Sequence, residues 1–280
     1  MNRRMSGDCC GREDEGGAIT LPGTYDHDTP WKFYNHLIGQ IPEDVLVTDC
    51  CVGPGWTYVE AECGMGLSYT LKGGGAASYG GRLDGLPLKS VAELSKSWNW
   101  LEACLGVAAL NAWYTNEDAV RTLGGALADV SATQLGQNPF RTLRENYRGK
   151  QVTVIGHFPD LDSVAEIAEL TILERNCTQS NDTPDPACEY LLPKQDFVFM
   201  TGVTLINKTA PRLLDLAQNA TVVMVGPSVP ASEFLFSWGI NVLAGRIVVD
   251  PEKAKVCVKQ AAKFGDALQA FSIERLKGNI

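Results

Sequence analysis

Val152-Thr-Val-Ile-Gly-His-Phe-Pro159 decides the fold, because a short aliphatic run stops there at a turn of glycine, histidine and proline. The same plan recurs in Phe197-Val-Phe-Met-Thr-Gly-Val-Thr204, Val222-Val-Met-Val-Gly-Pro-Ser228 and Ile240-Asn-Val-Leu-Ala-Gly245. Runs of four or five β-branched and aliphatic residues closed by such turns read as strands buried on both faces. Helix-like segments separate most of them, which predicts a parallel sheet with crossover helices. Ligands of open parallel sheets bind beyond the carboxyl ends of the strands. The small and polar residues that close these four runs therefore mark the expected working rim.

A chain of 280 residues has room for about two domains, each with its own core. The reading places a polar, Gly-rich flexible extension at 1–24, an α+β domain at 25–145 and a Rossmann-like α/β domain at 146–280. Apolar residues at 45% and charged residues at 20% describe a globular protein. The formal charge of −9 and the lack of a basic stripe argue against a nucleic-acid partner. No apolar run is long enough for a membrane span, and the basic start lacks the apolar core of a secretory signal. The expected location is the cytoplasm. The nine cysteines there read as free thiols, with no Cys-x-x-Cys pair to suggest zinc. Cys104 and Cys257 read as core filling, and Cys50 and Cys51 as strand neighbours on opposite faces.

In the first domain, a helix is expected over 28–40, capped by Asp28 or Thr29 with Pro30 in its first turn. Strands over 45–52, 56–63 and 66–72, joined by short loops, predict an antiparallel meander. Gly73–Gly81 reads as a mobile loop or a lid over a neighbouring cleft. A helix over 90–114 carries Val91, Leu94, Trp98, Leu101, Leu105 and Ala108 on one stripe, and a second follows over 117–129. In the second domain, Ser163-Val-Ala-Glu166 suggests a capping box. Thr171–Glu174 is a short strand, 176–187 an exposed loop, 209–218 a helix and 252–276 a long closing amphipathic helix.

Gly156-His157-Phe158-Pro159 stands where a dinucleotide binder carries Gly-x-Gly-x-x-Gly, and its bulky residues disfavour NAD. Glu174, eighteen residues past that glycine, occupies a position suited to ribose hydroxyls. His157 is a candidate metal ligand or proton carrier. No His-x-x-x-His or nearby cysteine completes a metal site, and Asp160 is as readily a helix cap. Thr201-Gly202-Val203-Thr204, with Asn207, and Gly226-Pro227-Ser228 place donors at strand ends before helices, as an anion site would. Helix capping accounts equally for either segment alone. No Gly-x-Ser-x-Gly elbow marks a hydrolase.

Val-Ile-Gly-His-Phe-Pro159, Tyr-Leu-Leu-Pro193, Thr-Gly-Val-Thr-Leu-Ile-Asn-Lys-Thr209, Gly-Pro-Ser228 and Leu-Ala-Gly-Arg-Ile-Val-Val-Asp250 resemble the "putative heavy-metal chelation" family, long catalogued as a domain of unknown function. The first domain, through Ala108-Ala-Leu-Asn-Ala112, resembles its usual companion. The resemblance spans about residues 27–265. It implies an enolase-amino-terminal-like domain, a Rossmann-like domain, and a cleft between them for metal or a metal-binding compound. The cysteine-bearing start and Gly73–Gly81 depart from it.

The combined expectation is a cleft for a small polar or anionic ligand, a heavy-metal ion or a metal chelate, with a homo-oligomer left open. His157 would ligate metal or carry a proton, with Phe158 and Pro159 beside it. The turns at Thr201–Asn207 and Gly226–Ser228 would donate hydrogen bonds, and Asn111 would reach in from the first domain. One alternative is an enzyme with a nucleotide-like or S-adenosylmethionine-like cosubstrate on Glu174. Another is a thiol-based carrier using Cys9, Cys10, Cys177 or Cys188.

Overall fold

The computed structural model describes residues 31–128, 138–159 and 161–276. The extension at 1–24 with Cys9 and Cys10, the helix cap at 28–30, and Asp160 lie outside the described residues.

The aliphatic runs form strands as their composition requires. β1 (Val47–Val52), β2 (Trp56–Ala61) and β3 (Gly64–Tyr69) make an antiparallel meander. A larger sheet joins β4 (Ala126–Leu127), β5 (Gln151–Ile155), β6 (Glu169–Glu174), β7 (Asp182–Pro184), β8 (Phe197–Thr201), β9 (Thr221–Val225), β10 (Ile240–Val248) and β11 (Leu268–Glu274) in the order β4-β11-β10-β9-β8-β5-β6-β7. From β10 through to β7 every pairing is parallel, while β11 pairs antiparallel with both β10 and β4. Counted from β5, the parallel strands run 3-2-1-4-5-6, the doubly wound order. Its direction reverses between β5 and β8, so their carboxyl ends diverge into a crevice. The fold is α/β and Rossmann-like, preceded by the meander.

The meander packs on the helix Trp100–Tyr114. Gly66 permits the close approach: a Cβ there would lie 2.1 Å from the Ala108 carbonyl oxygen and the Ala112 nitrogen. The alanines at 108, 109 and 112 form the matching helix surface and are fully buried or nearly so. The two layers are then tied to the large sheet by polar contacts. Tyr34 donates its hydroxyl to the Leu205 carbonyl at 2.9 Å, and the Tyr69 amide donates to Ser228 Oγ at 2.9 Å. Lys255 on the helix Pro251–Gln260 pairs with Glu60 of β2 at 2.8 Å.

Several expected elements differ. The helix over 90–114 is broken: Leu88–Ala92 and a 3-10 turn at Glu93–Lys96 precede Trp100–Tyr114. Asn99 accepts from the Leu101 and Glu102 amides and so starts a new helix. The stripe splits with it, burying Val91, Leu94 and Ala108 but leaving Trp98 and Leu101 exposed. The helix at Glu117 stops at Thr122, before Gly124 at φ +70°, and the chain enters β4. The capping box at Ser163 is not used as expected; the helix is one turn, Asp162–Ala165, entered from Leu161. The closing helix ends at Gln260, where Ala261 turns left-handed at φ +53°. The alternating Leu268-Gln-Ala-Phe-Ser-Ile-Glu274 then runs as β11. The loop 176–187 contains β7.

Candidate functional site

A cavity of about 980 Å³ opens at the carboxyl ends of β5, β8, β9 and β10. The meander side contributes Trp56, Tyr69, Leu71, Lys72 and Trp100. The sheet side contributes His157, Phe158, Pro159, Glu174, Thr201, Gly202, Thr204, Asn207, Gly226, Pro227 and Ser228. Eleven of the twelve expected site residues thus share one wall. Gly156 makes the sharp exit from β5 at φ +95°, a conformation that side chains resist. A Cβ built on it would lie 3.1 Å from Thr201 Cγ2, so the two strand ends come close at the crevice floor.

His157 lies in this wall between two carboxylates. Its Nε2 lies 2.7 Å from Asp182 Oδ1, and its Nδ1 lies 3.6 Å from Glu174 Oε2. The Asp182 side chain is inaccessible, and its other oxygen accepts from the Thr178 and Gln179 amides at 2.7 and 2.8 Å. Burial pushes the Asp182 carboxyl up, but the Gln179 amide, His157 and the Thr178 amide outweigh it and hold the group below its ordinary value. A carboxylate only accepts, so Nε2 carries the hydrogen of this contact. Glu174 folds back on its own turn, accepting from the Arg175 amide at 2.8 Å and the Asn176 amide at 3.3 Å. Its second oxygen faces the imidazole instead of standing free for a ribose.

The other expected polar groups also make contacts within the protein. Thr204 donates to the Thr201 carbonyl at 2.7 Å, Thr201 Oγ1 accepts from the Val203 amide at 3.3 Å, and Asn207 Oδ1 accepts from Thr209. Ser228 is buried and accepts from Tyr69. The helix after Gly202 is only Val203–Ile206.

Asn111 is absent from the cavity wall. It is fully buried and donates to the Leu67 carbonyl at 2.7 Å and the Pro227 carbonyl at 3.2 Å. It clamps the helix to the strand end from behind. Gly73–Gly81 also lies off the wall. The Ser78 and Tyr79 amides donate to buried Glu102 at 2.6 and 2.8 Å, which ties that segment to the helix Trp100–Tyr114.

A metal ion needs several converging donors. Among the described residues no group of three His, Cys, Asp or Glu side chains is placed to hold one. The described cysteines are free thiols; Cys104 and Cys257 are buried, Cys177 is exposed and Cys188 is half-buried in the cavity wall. The residues present do not fit a resident bare ion.

Two residues went unnoticed in the sequence. Asp182 was hidden in a Pro- and Asn-rich loop that gave no strand signal. Arg246 carried a signal, a lone charge inside the strand run Leu243-Ala-Gly-Arg-Ile-Val-Val249. It lines the cavity beside Gly245.

The family model DUF364, described as "Putative heavy-metal chelation", matches residues 138–277, and DUF4213, with the same description, matches 34–114. The chain belongs to the DUF364 family. A crystal structure of a DUF364 protein of unknown function from Desulfitobacterium hafniense is 36% identical, with a TM-score of 0.76 over 87% of this chain and 98% of that one. Another, from Pyrococcus horikoshii, is 25% identical with a TM-score of 0.69 over 88% and 98%. An uncharacterised protein of Methanocaldococcus jannaschii is 28% identical over 256 residues, 85% of this chain and 94% of that protein. Among the described residues no helix is long and apolar enough to cross a membrane.

Proposed function

We propose that the cavity binds a small organic anion with metal-chelating groups of its own, and that His157 takes or gives a proton on it. The reading rests on one observation: His157 lines a large mixed aromatic and polar cavity while its far nitrogen is tied to buried Asp182. A carboxylate behind an imidazole fixes its tautomer and aim, as it does behind metal ligands and general bases. The family's chelation description fits a ligand that brings its own donors, because this chain does not assemble a three-donor set among its described residues. The cytoplasmic location and the domain division at about residue 145 belong to the same proposal.

Elemental analysis and mass spectrometry of whatever co-purifies with the full-length protein test this. The expected result is an organic anion in near-stoichiometric amount, with any metal in fixed ratio to it, and uptake at least tenfold weaker in His157→Ala. Metal retained with no organic component, or uptake unchanged in His157→Ala, would overturn the reading.

A further inference from the structure

Arg246 is a charge without an answer. It sits on β10 two residues beyond Ala244, which is opposite Val225 at the end of the parallel ladder with β9. It therefore emerges at the carboxyl rim, half-buried. Among the described residues it has no carboxylate partner, although every other arginine lining the cavity, namely Arg175, is paired, here with Asp185 at 2.8 Å. Burial pulls the guanidinium below its ordinary range with nothing to offset it. An uncompensated buried charge costs stability, so its persistence calls for a partner from outside the chain.

A second hollow of about 430 Å³ adjoins the main cavity here, sharing Trp56, Pro227 and Arg246 with it. Lys263, Phe264 and Leu268 close its other side. Its lining holds two cations and no acid, in a protein of net charge −9. Trp56 stands edge-on to Phe264 at 5.8 Å and to Tyr69 at 5.7 Å, which gives the passage aromatic walls. The rim between β10 and β5 crosses three strand spacings, roughly 14 Å.

Resting on the reading of the cavity as a site for an organic anion, we propose that the Arg246–Lys263 hollow is a distinct anion subsite. It holds a phosphate or carboxylate of the ligand at the end away from His157. A planar guanidinium suits either oxyanion through paired hydrogen bonds.

The test titrates the full-length protein with inorganic phosphate, pyrophosphate and tricarballylate at low salt, following calorimetry and tryptophan fluorescence. Either the phosphate or the carboxylate probes should bind, and which of them does identifies the group. The fluorescence change should vanish in Trp56→Phe. Affinity should fall about tenfold or more in Arg246→Met, and as much in Lys263→Glu, whose exposed site leaves folding intact and whose new carboxylate would occupy Arg246. Arg246→Met should melt no lower than the wild type, since it removes an unpaired charge. His157→Ala should keep the probe affinity. Failure of every probe to bind, or wild-type affinity in Lys263→Glu, overturns the subsite. If probe binding needs Arg246 while His157→Ala leaves uptake of the co-purified anion unchanged, the subsite stands and the reading of His157 falls.

Discussion

At the end of β5, His157 has Asp182 at 2.7 Å on one nitrogen and Glu174 at 3.6 Å from the other. Late in β10, beyond its ladder with β9, Arg246 shares the same cavity but has no carboxylate partner among the described residues. The first corner is complete before a ligand arrives, with its imidazole oriented inside the protein by Asp182. The second is left incomplete. A site that must do chemistry gains from a fixed group, and a site that must capture a charge gains from an unanswered one. On the proposed reading, the contrast separates acting on the ligand from holding it.

Asn111 supports the second corner from behind, and removing it should have the largest effect on stability. Asn111→Ala leaves the buried Leu67 carbonyl and the part-buried Pro227 carbonyl without this donor. A loss of roughly 2–3 kcal/mol is expected in urea unfolding. Because Pro227 lines both hollows, the anion affinity of the Arg246 side should fall with it. An unfolding midpoint equal to the wild type would remove the clamp from the account.

Asp182→Ala attacks the first corner. The imidazole keeps its place on the chain but loses its tautomer and aim, so uptake of the co-purified anion should weaken by roughly ten- to a hundredfold. Phosphate affinity at Arg246 should not change. Equal losses at both corners would mean the β7 turn had collapsed, and the distinction between the two ends would not survive.

The parallel sheet was legible because buried strands must be apolar throughout, and the runs at 152, 197, 222 and 240 are. The meander was legible from its short glycine turns. β7 was not, since Asp182-Thr-Pro184 has an edge position and is held by its neighbours, so it carries no pattern of its own. β11 was misread because its charged neighbours mimic a helical face, although Leu268–Glu274 alternates. At the site, the positions of His157 and Glu174 followed from the rim rule. The fates of Thr204, Asn207, Ser228 and Asn111 did not, because whether a polar side chain faces a ligand or its own backbone depends on the local turn geometry.

Glu102 gives the anchoring of Gly73–Gly81 a pH limit. Burial pushes its carboxyl up, but Ser97 and the Ser78 and Tyr79 groups outweigh it and hold it below the ordinary value. A depressed carboxyl contributes stability above its unfolded value, about pH 4.3, that is lost as the pH falls through the folded value. Melting temperatures measured from pH 6 down to pH 3 should therefore drop more steeply in the wild type than in Glu102→Gln. Parallel curves would show that the anchoring of Gly73–Gly81 does not depend on that charge.

Lys208 is the informative counterpart of Arg246, a half-buried cation that the protein does answer. It donates to the Ile206 carbonyl at 2.8 Å and lies 5.7 Å from the centre of the Trp98 ring. Burial lowers its amine to about 8, with Cys104 and Glu102 opposing. The folded chain thus releases this proton near pH 8, whereas the unfolded chain keeps it to about 10.4. The unfolded state binds more protons across that window, so this group's contribution to stability rises with pH from 8 to about 10.4. Cys104, pushed up to about 11 by burial, acts in the opposite direction over the same window. The effect of Lys208 is consequently small in the whole protein and is read as a difference. Subtracting the Lys208→Met stability profile from that of the wild type should leave a positive slope between pH 8 and 10. A flat difference would show that Lys208 keeps its proton in the fold, and that a half-buried cation here needs no carboxylate, which would weaken the case that Arg246 awaits one.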